Sequence, residues 1–347
     1  MRACVLHRAR DLRLEERAAA PLGPDQVRVR VGAGGICGSD LHYYFEGRVG
    51  DFAVREPLIL GHEVAGDVVE IGRAVARVRI GDRVAVNPSR PCWRCRACQE
   101  GRTNLCARMS FYGSAAVFPH VQGAFQEQLV CDESQCHVVP PSTPYAVAAM
   151  AEPLAVCLHA VRRAGPLLGR RVLITGCGPI GALTCLAARA AGAAHVTVTD
   201  VVDPPLRVAE DIGADETINA AGAPERIAAY QADKGWFDVA LEASGSPQAL
   251  ITCLACTRPG GRIVQLGMLP SGDIALPLTS ITPKEIELIG TFRFHEEFGL
   301  AVAALASGRF DVSPVLSGTF PAEERDAAFA AAADRRHHMK VQLVFDA

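Results

Sequence analysis

The stretch LITGCGPIG, residues 173–181, places three glycines in the pattern G-x-G-x-x-G directly after an apolar run. This pattern requires a strand, a tight turn and a helix in immediate succession. The turn needs Gly176, Gly178 allows a close approach to the backbone, and Gly181 allows the helix to pack against the strand. Apolar runs then alternate with helical patterns as far as about residue 290. This alternation predicts βαβ units with a parallel sheet, a Rossmann domain at residues 153–291.

The helix that follows this turn predicts a dinucleotide site, because free N–H groups and the dipole at a helix N-terminus attract a pyrophosphate. Pro179 and Ile180 lie at its start, and the next apolar run, HVTVTD, ends at Asp200, 24 residues after Gly176. A carboxylate at about this separation is expected to accept hydrogen bonds from the adenine ribose and to repel a 2′-phosphate. We therefore expect NAD as the cofactor, with NADP less favoured. The alternative is that Asp200 only caps the end of its strand.

Four cysteines, Cys92, Cys95, Cys98 and Cys106, have the spacing C-x2-C-x2-C-x7-C. Thiolates this close together in a reduced compartment predict a closed tetrahedral zinc site, which holds a loop and performs no chemistry. An iron–sulfur cluster is the alternative. The bacterial ferredoxin run has a shorter last spacing and a proline after its fourth cysteine, whereas here Ala107 follows. The spacing therefore favours zinc.

The region before the Rossmann domain has the pattern of β-structure. Residues 27–31 alternate as a half-buried strand does, and residues 63–70 form another short apolar run between glycine-rich turns. The residues after the parallel region are expected to return to this first domain. We predict an α/β chain with a mostly β domain formed by residues 1–152 and 292–347, and a zinc lobe at about 88–110.

Composition excludes several classes of partner. The chain has 347 residues, 49% of them hydrophobic, with a net charge of −3. Neither nucleic acid nor an anionic membrane is an expected partner at this charge. The start of the chain has no apolar signal segment, and the longest uncharged run is shorter than the roughly 20 residues of a membrane span. We expect a cytoplasmic protein whose thirteen cysteines are reduced thiols, some of them binding metal.

A second metal site is predicted by three residues. His62 and Glu63 follow the apolar run LIL, and Cys37 lies 25 residues before His62 in the stretch GGICGSDLHYY. A thiolate, an imidazole and a carboxylate can hold zinc and leave one position open for substrate. Glu152, at the domain transition, offers another carboxylate. By itself, a His-Glu pair is more often structural.

These motifs give the chain a resemblance to a known family over nearly its whole length. The chain resembles the zinc-dependent medium-chain dehydrogenase/reductase family, in its polyol (sorbitol-type) branch. The motifs that carry this resemblance are GICGSD, GHE, the four-cysteine lobe, AEPL, the glycine fingerprint and FR at 292–293. The resemblance implies a GroES-like catalytic domain beside the Rossmann domain. It also implies hydride transfer between a secondary alcohol of a polyol or sugar acid and NAD(P).

The resemblance assigns the metal ligands. Cys37, His62 and Glu63 would bind the catalytic zinc. Glu152 occupies the position at which alcohol dehydrogenases have a second cysteine ligand, and polyol dehydrogenases have glutamate there, often reaching the metal through water. The chain therefore departs from the alcohol dehydrogenase pattern and matches that of the polyol branch.

The resemblance also implies a path for the proton that leaves the substrate. Ser39 would accept it, and His42 would pass it to solvent, since imidazole is suited to proton transfer near neutral pH. The alternative is that Ser39 and Asp40 cap a helix beginning at Leu41, and both interpretations are compatible with the sequence.

Further residues are assigned to the ligands by the resemblance. Arg293 is expected to face the carboxylate of a sugar acid, and Tyr43 and His120 to add hydrogen bonds to the substrate. The residues expected at the cofactor, besides Asp200 and the fingerprint Gly176–Gly181, are Leu266, Gly267, Met268, Phe292 and Arg293.

The substrate and the reaction class leave alternatives open. Sorbitol, xylitol and threonine dehydrogenases share the zinc and nucleotide motifs. A quinone-reductase-like relative without zinc and a non-catalytic NAD-sensing protein are two further alternatives, and the intact cysteine and His-Glu motifs speak against both. We also expect a homo-oligomer, a dimer or a tetramer, paired through the edge strand IELIGTF.

Overall fold

The computed structural model describes residues 1–345. Their contacts divide them into two compact units. One unit comprises Met1–Glu152, Phe298–Asp334 and the described residues from Lys340 on, and the other comprises Pro153–Glu297 and Arg335–Met339. The domain boundaries expected from the sequence stay a prediction, and the last two residues of the chain, which they include, lie outside the described part.

The strands are β1 (Arg2–Arg8), β2 (Asp11–Glu16), β3 (Gln26–Gly35), β4 (Arg48–Val49), β5 (Phe52–Ala53), β6 (Leu58–Ile59), β7 (Glu63–Ile71), β8 (Arg83–Val86), β9 (Ser89–Arg90), β10 (Ser110–Phe111), β11 (Gln128–Asp132), β12 (Cys136–Val139), β13 (Arg171–Thr175), β14 (His195–Asp200), β15 (Glu216–Asn219), β16 (Phe237–Glu242), β17 (Thr257–Gln265), β18 (Glu287–Gly290), β19 (Leu316–Pro321) and β20 (Lys340–Val344).

The α-helices are α1 (Gly38–Glu46), α2 (Arg96–Gln99), α3 (Tyr145–Ala149), α4 (Ala151–Ala164), α5 (Pro179–Ala190), α6 (Asp203–Asp211), α7 (Pro224–Ala229), α8 (Pro247–Cys256), α9 (Ile281–Lys284), α10 (Glu297–Ala306) and α11 (Arg325–Ala333). Short 3-10 turns lie at Thr103–Leu105, Glu133–Gln135, Ala232–Lys234, Leu278–Ser280, Ser313–Val315 and Ala322–Glu324. No helix within residues 1–345 is long and apolar enough to cross a membrane.

The first unit is built around a sheet of order β12-β8-β7-β3-β20-β19, with β11 paired to β3 as well. Strand β3 lies at its centre, antiparallel to β7, β11 and β20. The alternation in its sequence turns Val27, Val29 and Val31 into the core, where none of them is exposed. Burying each of these side chains contributes about 1.5–3 kcal/mol, so they anchor the first half of β3 in the sheet, and the strand then continues towards Cys37.

The second unit contains a six-stranded parallel sheet of order β15-β14-β13-β16-β17-β18. This is the Rossmann order, in which β14 and β15 are added on one side of β13 and β16, β17 and β18 are added on the other. Strand β13 is buried along almost its whole length, as expected for a central parallel strand covered by helices on both faces. The predicted fold class, a Rossmann unit together with a mostly β unit, is confirmed. Strand β18 lies at one end of the sheet, where the run IELIGTF was predicted to form an edge.

Asp238 fastens the amino-terminal edge of this parallel sheet. Its carboxylate accepts hydrogen bonds from the backbone N–H of Arg171 at 2.8 Å, from the Arg171 Nε at 3.3 Å and from the Arg258 Nε at 2.7 Å. One carboxylate thus joins the starts of β13, β16 and β17. Burial opposes ionisation of this group, but the three donors outweigh it and lower the pKa of Asp238 from its usual 3.8 to about 2.

We expect Asp238→Asn to destabilise the chain in a pH-dependent way. A carboxyl whose pKa is depressed by folding stabilises the fold above its unfolded pKa and stops doing so as the pH falls through its folded pKa. The contribution of Asp238, on the order of 2 kcal/mol, should therefore vanish between about pH 4 and pH 2. Urea unfolding across this range should show the difference between wild type and variant shrinking with acid. Asp273→Asn, at an exposed position, is the matched control, and a difference that does not change with pH would contradict the assignment.

Candidate metal centres and dinucleotide site

The four cysteines of the lobe come together around one point. Their Sγ atoms all lie within 4.8 Å of one another, with Cys95 at 3.5 Å from Cys98 and at 3.9 Å from Cys106. The backbone N–H groups of Cys92 and Arg108 donate to the Cys106 sulfur at 3.2 and 3.3 Å. Four sulfurs at these separations fit a closed tetrahedral zinc site, with no place left for a substrate.

The electrostatics of the lobe also favour a cation. Backbone N–H groups of Arg94 and Cys95 lower the pKa of the Cys92 thiol to about 6, which favours the thiolate that metals bind. Burial, together with the neighbouring sulfur of Cys95, raises the pKa of Cys98 to about 12. Like charges this close cannot all form unaided. A dication between them would allow all four thiolates to form in one place.

A second cluster is formed by Cys37, His62 and Glu63, whose ligand atoms lie within 4.8 Å of one another. The register of the central sheet brings them together. Gly35, at the end of β3, lies opposite Glu63 at the start of β7, and Cys37 follows two residues later as the N-cap of α1. His62 and Glu63 are buried. The predicted mixed site thus has its three donors in place, and their roles as ligands stay a prediction.

Gly35 is required by this arrangement. A Cβ at this position would lie 2.0 Å from the Glu63 Oε2, well inside van der Waals contact. The carboxylate of Glu63 therefore occupies the space that a side chain on β3 would otherwise fill. No local feature of the sequence distinguishes Gly35 from its neighbour Gly34 in this respect.

Asp40 connects the two ligand-bearing segments. Its side chain is completely buried, one oxygen accepts the backbone N–H of Cys37 at 2.9 Å, and the other accepts that of Gly61 at 3.1 Å. The helix was expected to begin at Leu41, but it begins at Gly38, three residues earlier. The reason is the reciprocal cap between Cys37 and Asp40, which draws both residues into the first turn. Asp40 therefore orients Cys37 and the loop that precedes His62.

Lys340 was not singled out by the sequence, and it lies directly against the cluster. Its buried ammonium donates to both oxygens of Glu63, at 2.7 and 2.8 Å, and to the carbonyl of Ile36 at 3.1 Å. The only local sign was a lysine at the start of an apolar closing strand. Glu63 thus has a fixed orientation, and its charge is already shared with Lys340.

The cluster carries an excess of acidic groups. Burial lowers the pKa of His62, but Asp40, Cys37 and Glu152 outweigh it and raise that pKa to about 10. An environment that favours a positive charge on imidazole so strongly also favours a bound cation. Glu152, in the first turn of α4, is buried and contributes to this field.

The two residues predicted to move the proton lie on α1. Ser39 is half-buried, while His42 is exposed and its Nδ1 lies 2.8 Å from the Glu46 Oε1. Their spacing of three residues makes them neighbours on one helix surface. The relay itself stays a prediction.

The predicted substrate residues have contacts within the protein. The Tyr43 hydroxyl, in the core, accepts the backbone N–H of Ala115 at 3.0 Å. The His120 Nε2 accepts the backbone N–H of Arg55 at 2.9 Å, and its Nδ1 lies 2.8 Å from the carbonyl of Val117. These hydrogen bonds indicate a structural role for both residues. A contact of Tyr43 or His120 with substrate stays a prediction, and these hydrogen bonds do not support it.

Arg293, predicted at both substrate and cofactor, has a left-handed backbone with φ 52°. Its guanidinium lies over the ring of Phe292, 4.8 Å from the centroid. The Phe292 ring is exposed, as is Met268, which follows Gly267 beyond the end of β17. A Cβ on Gly267 would lie 2.1 Å from the backbone nitrogen of Gly245. Their roles at the cofactor stay predictions.

The glycine fingerprint has the geometry that its sequence predicts. Gly176 has φ 87°, and a Cβ on it would lie 2.6 Å from that of Ser244. A Cβ on Gly181 would lie 1.9 Å from the carbonyl oxygen of Gly176, so helix and strand pack in direct contact. Gly178 is the N-cap of α5, and apart from Gly178 and its two chain neighbours no heavy atom of residues 1–345 lies within 4 Å of a Cβ placed there. This open cradle at a helix N-terminus fits a pyrophosphate.

Asp200 is engaged differently from the expectation. Asp200 is buried at the end of β14. One of its carboxylate oxygens accepts hydrogen bonds from the backbone N–H of Cys177 at 2.6 Å and from the Arg335 Nη2 at 2.7 Å. Its other oxygen accepts the N–H groups of Val201 and Val202 at 2.7 and 3.1 Å. Four donors use all of the roughly four acceptor sites of a carboxylate. These contacts fit the alternative interpretation, in which Asp200 caps the end of its strand. Binding of the adenine ribose by Asp200 stays a prediction.

Comparisons with known proteins agree with this architecture. Residues 23–141 match the alcohol dehydrogenase GroES-like domain, and residues 179–307 match the zinc-binding dehydrogenase family. L-idonate 5-dehydrogenase (NAD(P)(+)) of Escherichia coli (strain K12) is 43% identical over 318 residues, which is 91% of both chains. Sorbitol dehydrogenase of Bacillus subtilis (strain 168) is 37% identical over 99% of this chain and 97% of its own.

A solved structure is similar over the same length. The crystal structure of L-idonate 5-dehydrogenase from E. coli K-12 superposes with a TM-score of 0.94 and 40% identity, covering 99% of this chain and 98% of that one. The match at residues 23–141 includes Cys37, the His-Glu pair and the four cysteines of the lobe, and the match at residues 179–307 begins within the glycine fingerprint. The chain therefore belongs to the family of zinc-dependent medium-chain alcohol and polyol dehydrogenases.

Proposed function

We propose that the chain is an L-idonate 5-dehydrogenase, which oxidises the secondary alcohol at C5 of L-idonate to 5-keto-D-gluconate with NAD(P) as the hydride acceptor. The observation that carries this proposal is the 43% identity with the E. coli enzyme of that name, against 37% with a sorbitol dehydrogenase. Sorbitol dehydrogenases and a plant L-idonate 5-dehydrogenase both match at 36%. A sorbitol- or xylitol-type polyol dehydrogenase is therefore the second candidate.

The donors present fit the metal that this reaction needs. Cys37, His62 and Glu63, with Glu152 as a further carboxylate, are proposed to hold the catalytic zinc, and the four cysteines of the lobe the structural one. When bound, zinc supplies Lewis acidity that lowers the pKa of the substrate hydroxyl, while the nicotinamide supplies the hydride acceptor.

The residues of the chain contribute positioning and proton transfer. Asp40 holds the segments of Cys37 and His62, and Lys340 fixes both oxygens of Glu63, so the donor set is ordered before any ligand arrives. Ser39 is proposed to accept the hydroxyl proton, and His42, exposed on the same helix surface, to release it to solvent.

Cofactor choice and assembly complete the proposal. The fingerprint turn is proposed to hold the pyrophosphate of NAD(P). Asp200 already shares its charge with Arg335, so it repels a 2′-phosphate less than a free carboxylate would. NADP should consequently be accepted, with NAD preferred. A cytoplasmic homo-oligomer paired through β18 is also proposed.

We expect Cys37→Ala to reduce the zinc content from two ions per chain to one and to abolish NADH formation from L-idonate. The thiolate is a ligand of one cluster only, so the lobe should keep its ion. Zinc analysis and a turnover assay on the same preparation measure both effects. Cys185→Ala, which removes a buried thiol on α5, is the control and should keep both ions. Unchanged turnover in Cys37→Ala would rule out the proposed reaction.

We expect kcat/KM for L-idonate to exceed that for sorbitol and xylitol by roughly ten-fold or more, because an arginine can make a bidentate contact with the carboxylate of L-idonate.

If Arg293 makes this contact, Arg293→Lys should reduce kcat/KM for L-idonate by about ten-fold and leave kcat/KM for sorbitol within about two-fold of the wild-type value. A panel of polyols and aldonates with NAD and with NADP measures both. An unchanged KM for L-idonate in the variant would exclude Arg293 as the carboxylate contact.

We expect Lys340→Met to destabilise the chain by about 3–5 kcal/mol, because it leaves the buried carboxylate of Glu63 without its partner. The double variant Lys340→Met/Glu63→Gln removes both charges and should recover more than half of this loss. Urea unfolding of the four members of this cycle, at a fixed zinc concentration, measures the coupling. Purely additive losses would show that Lys340 does not position Glu63.

A further inference from the structure

A third group of possible ligands lies outside both thiolate clusters. His159 is on α4, His295 lies in the segment after β18, and Glu297 begins α10. One ring nitrogen of each histidine and one carboxylate oxygen lie within 4.8 Å of one another. The His159 Nδ1 is 3.1 Å from the Glu297 Oε1, and both side chains are buried. Nothing in the proposed dehydrogenase reaction uses these three residues.

His295 presents a polar atom that the protein itself does not satisfy. Its Nδ1 is buried, and within residues 1–345 it has no hydrogen-bond partner. Leaving such a group unpaired costs free energy that a ligand could recover. The backbone N–H of the same residue donates to the Glu297 Oε2 at 3.0 Å, and its ring lies 5.5 Å from that of His159. The unsatisfied nitrogen thus belongs to a segment that is already fixed beside the other two ligands.

The carboxylate of Glu297 is charged at this place. Burial opposes its ionisation, but the hydrogen bonds from His159 and from the His295 backbone outweigh burial and lower its pKa to about 2. Arg162 also contacts it, at 3.1 Å, and donates to Glu296 at 2.9 Å. Because the arginine side chain is about half exposed and has this second carboxylate, a cation can replace it at Glu297 without leaving Arg162 unpaired.

We propose that His159, His295 and Glu297 form a third metal site, which takes Zn²⁺ or another divalent transition metal that prefers imidazole ligands. Two imidazoles and one carboxylate are a known ligand set for zinc, with water as the fourth ligand. Metal–ligand bonds of about 2.1 Å place tetrahedral ligands about 3.4 Å apart, close to the existing separation of 3.1 Å between His159 and Glu297. To complete the site, the ring of His295 must approach the other two ligands and the guanidinium of Arg162 must withdraw from Glu297.

The two imidazoles and one carboxylate of this ligand set determine which metal ions it prefers. Ca²⁺ and Mg²⁺ prefer oxygen ligands in larger number, so two imidazoles disfavour both. With three protein ligands, no thiolate, an open position and a competing arginine, the site should hold its metal less tightly than either cysteine-containing site holds its own. The ion should therefore be exchangeable and be removed by mild chelation that leaves the other two zinc ions in place.

The test is a titration of the enzyme that already holds two zinc ions. After mild chelation, Zn²⁺ is added in a calorimeter, and Co²⁺ in a parallel experiment read by visible absorption. We expect a third equivalent of either metal. Because the site has no sulfur ligand, its Co²⁺ spectrum should show d–d bands without thiolate charge transfer, which distinguishes it from metal exchange into either cysteine-containing site.

Variants decide whether the third ion is bound here. His295→Asn and Glu297→Gln should each lose the third equivalent while keeping two zinc ions, and the retained ions show that each variant is folded. His137→Asn, at a histidine outside all three groups, should keep the third equivalent. A wild-type chain that takes no third ion, or a third ion that persists in His295→Asn, would overturn the proposal.

Discussion

The pairing of β3 with β7 is the constraint on which the remainder of the candidate site depends. It sets Gly35 opposite Glu63, and the chain continues from there to Cys37 at the head of α1. A slip of one residue would turn every side chain of β3 to the other face of the sheet. The valines of β3 would then leave the core, so the hydrophobic energy of the strand enforces the geometry of the metal donors.

Buried polar groups with defined partners are the second organising principle, and two of them, Asp40 and Glu63, lie beside the donors. Asp40 accepts two backbone N–H groups, and Glu63 is held by Lys340. In the Rossmann unit Asp200 plays the same part, with its four donors holding the fingerprint turn against the end of β14. Burying such groups costs free energy unless they are hydrogen-bonded. In this chain the same hydrogen bonds also position the donor residues and the fingerprint turn.

The sequence predicted those parts of the molecule that have a local signature. The glycine fingerprint, the four-cysteine spacing and the alternation of strands and helices lie within short stretches, and fold class and family are confirmed. It missed the start of α1 at Gly38, because the reciprocal cap uses Cys37, a residue type that capping rules do not emphasise. It also missed Lys340 and Arg335, which lie 277 and 135 residues from their partners Glu63 and Asp200. Contacts at such distances leave no pattern in a single sequence.

Lys340 has a consequence for how the chain matures. The partner of Glu63 is synthesised 277 residues after it, on the last strand of the sheet. Until residue 340 has left the ribosome, a nascent chain that folds its first unit would bury the carboxylate of Glu63 without its compensating charge. The donor cluster therefore cannot reach its final electrostatic state during most of translation, whereas the four-cysteine lobe needs only fifteen consecutive residues, Cys92–Cys106. If the two clusters bind metal as proposed, loading should follow this order, with the four-cysteine lobe taking its ion early and the donor cluster taking its ion only after Lys340 has been added.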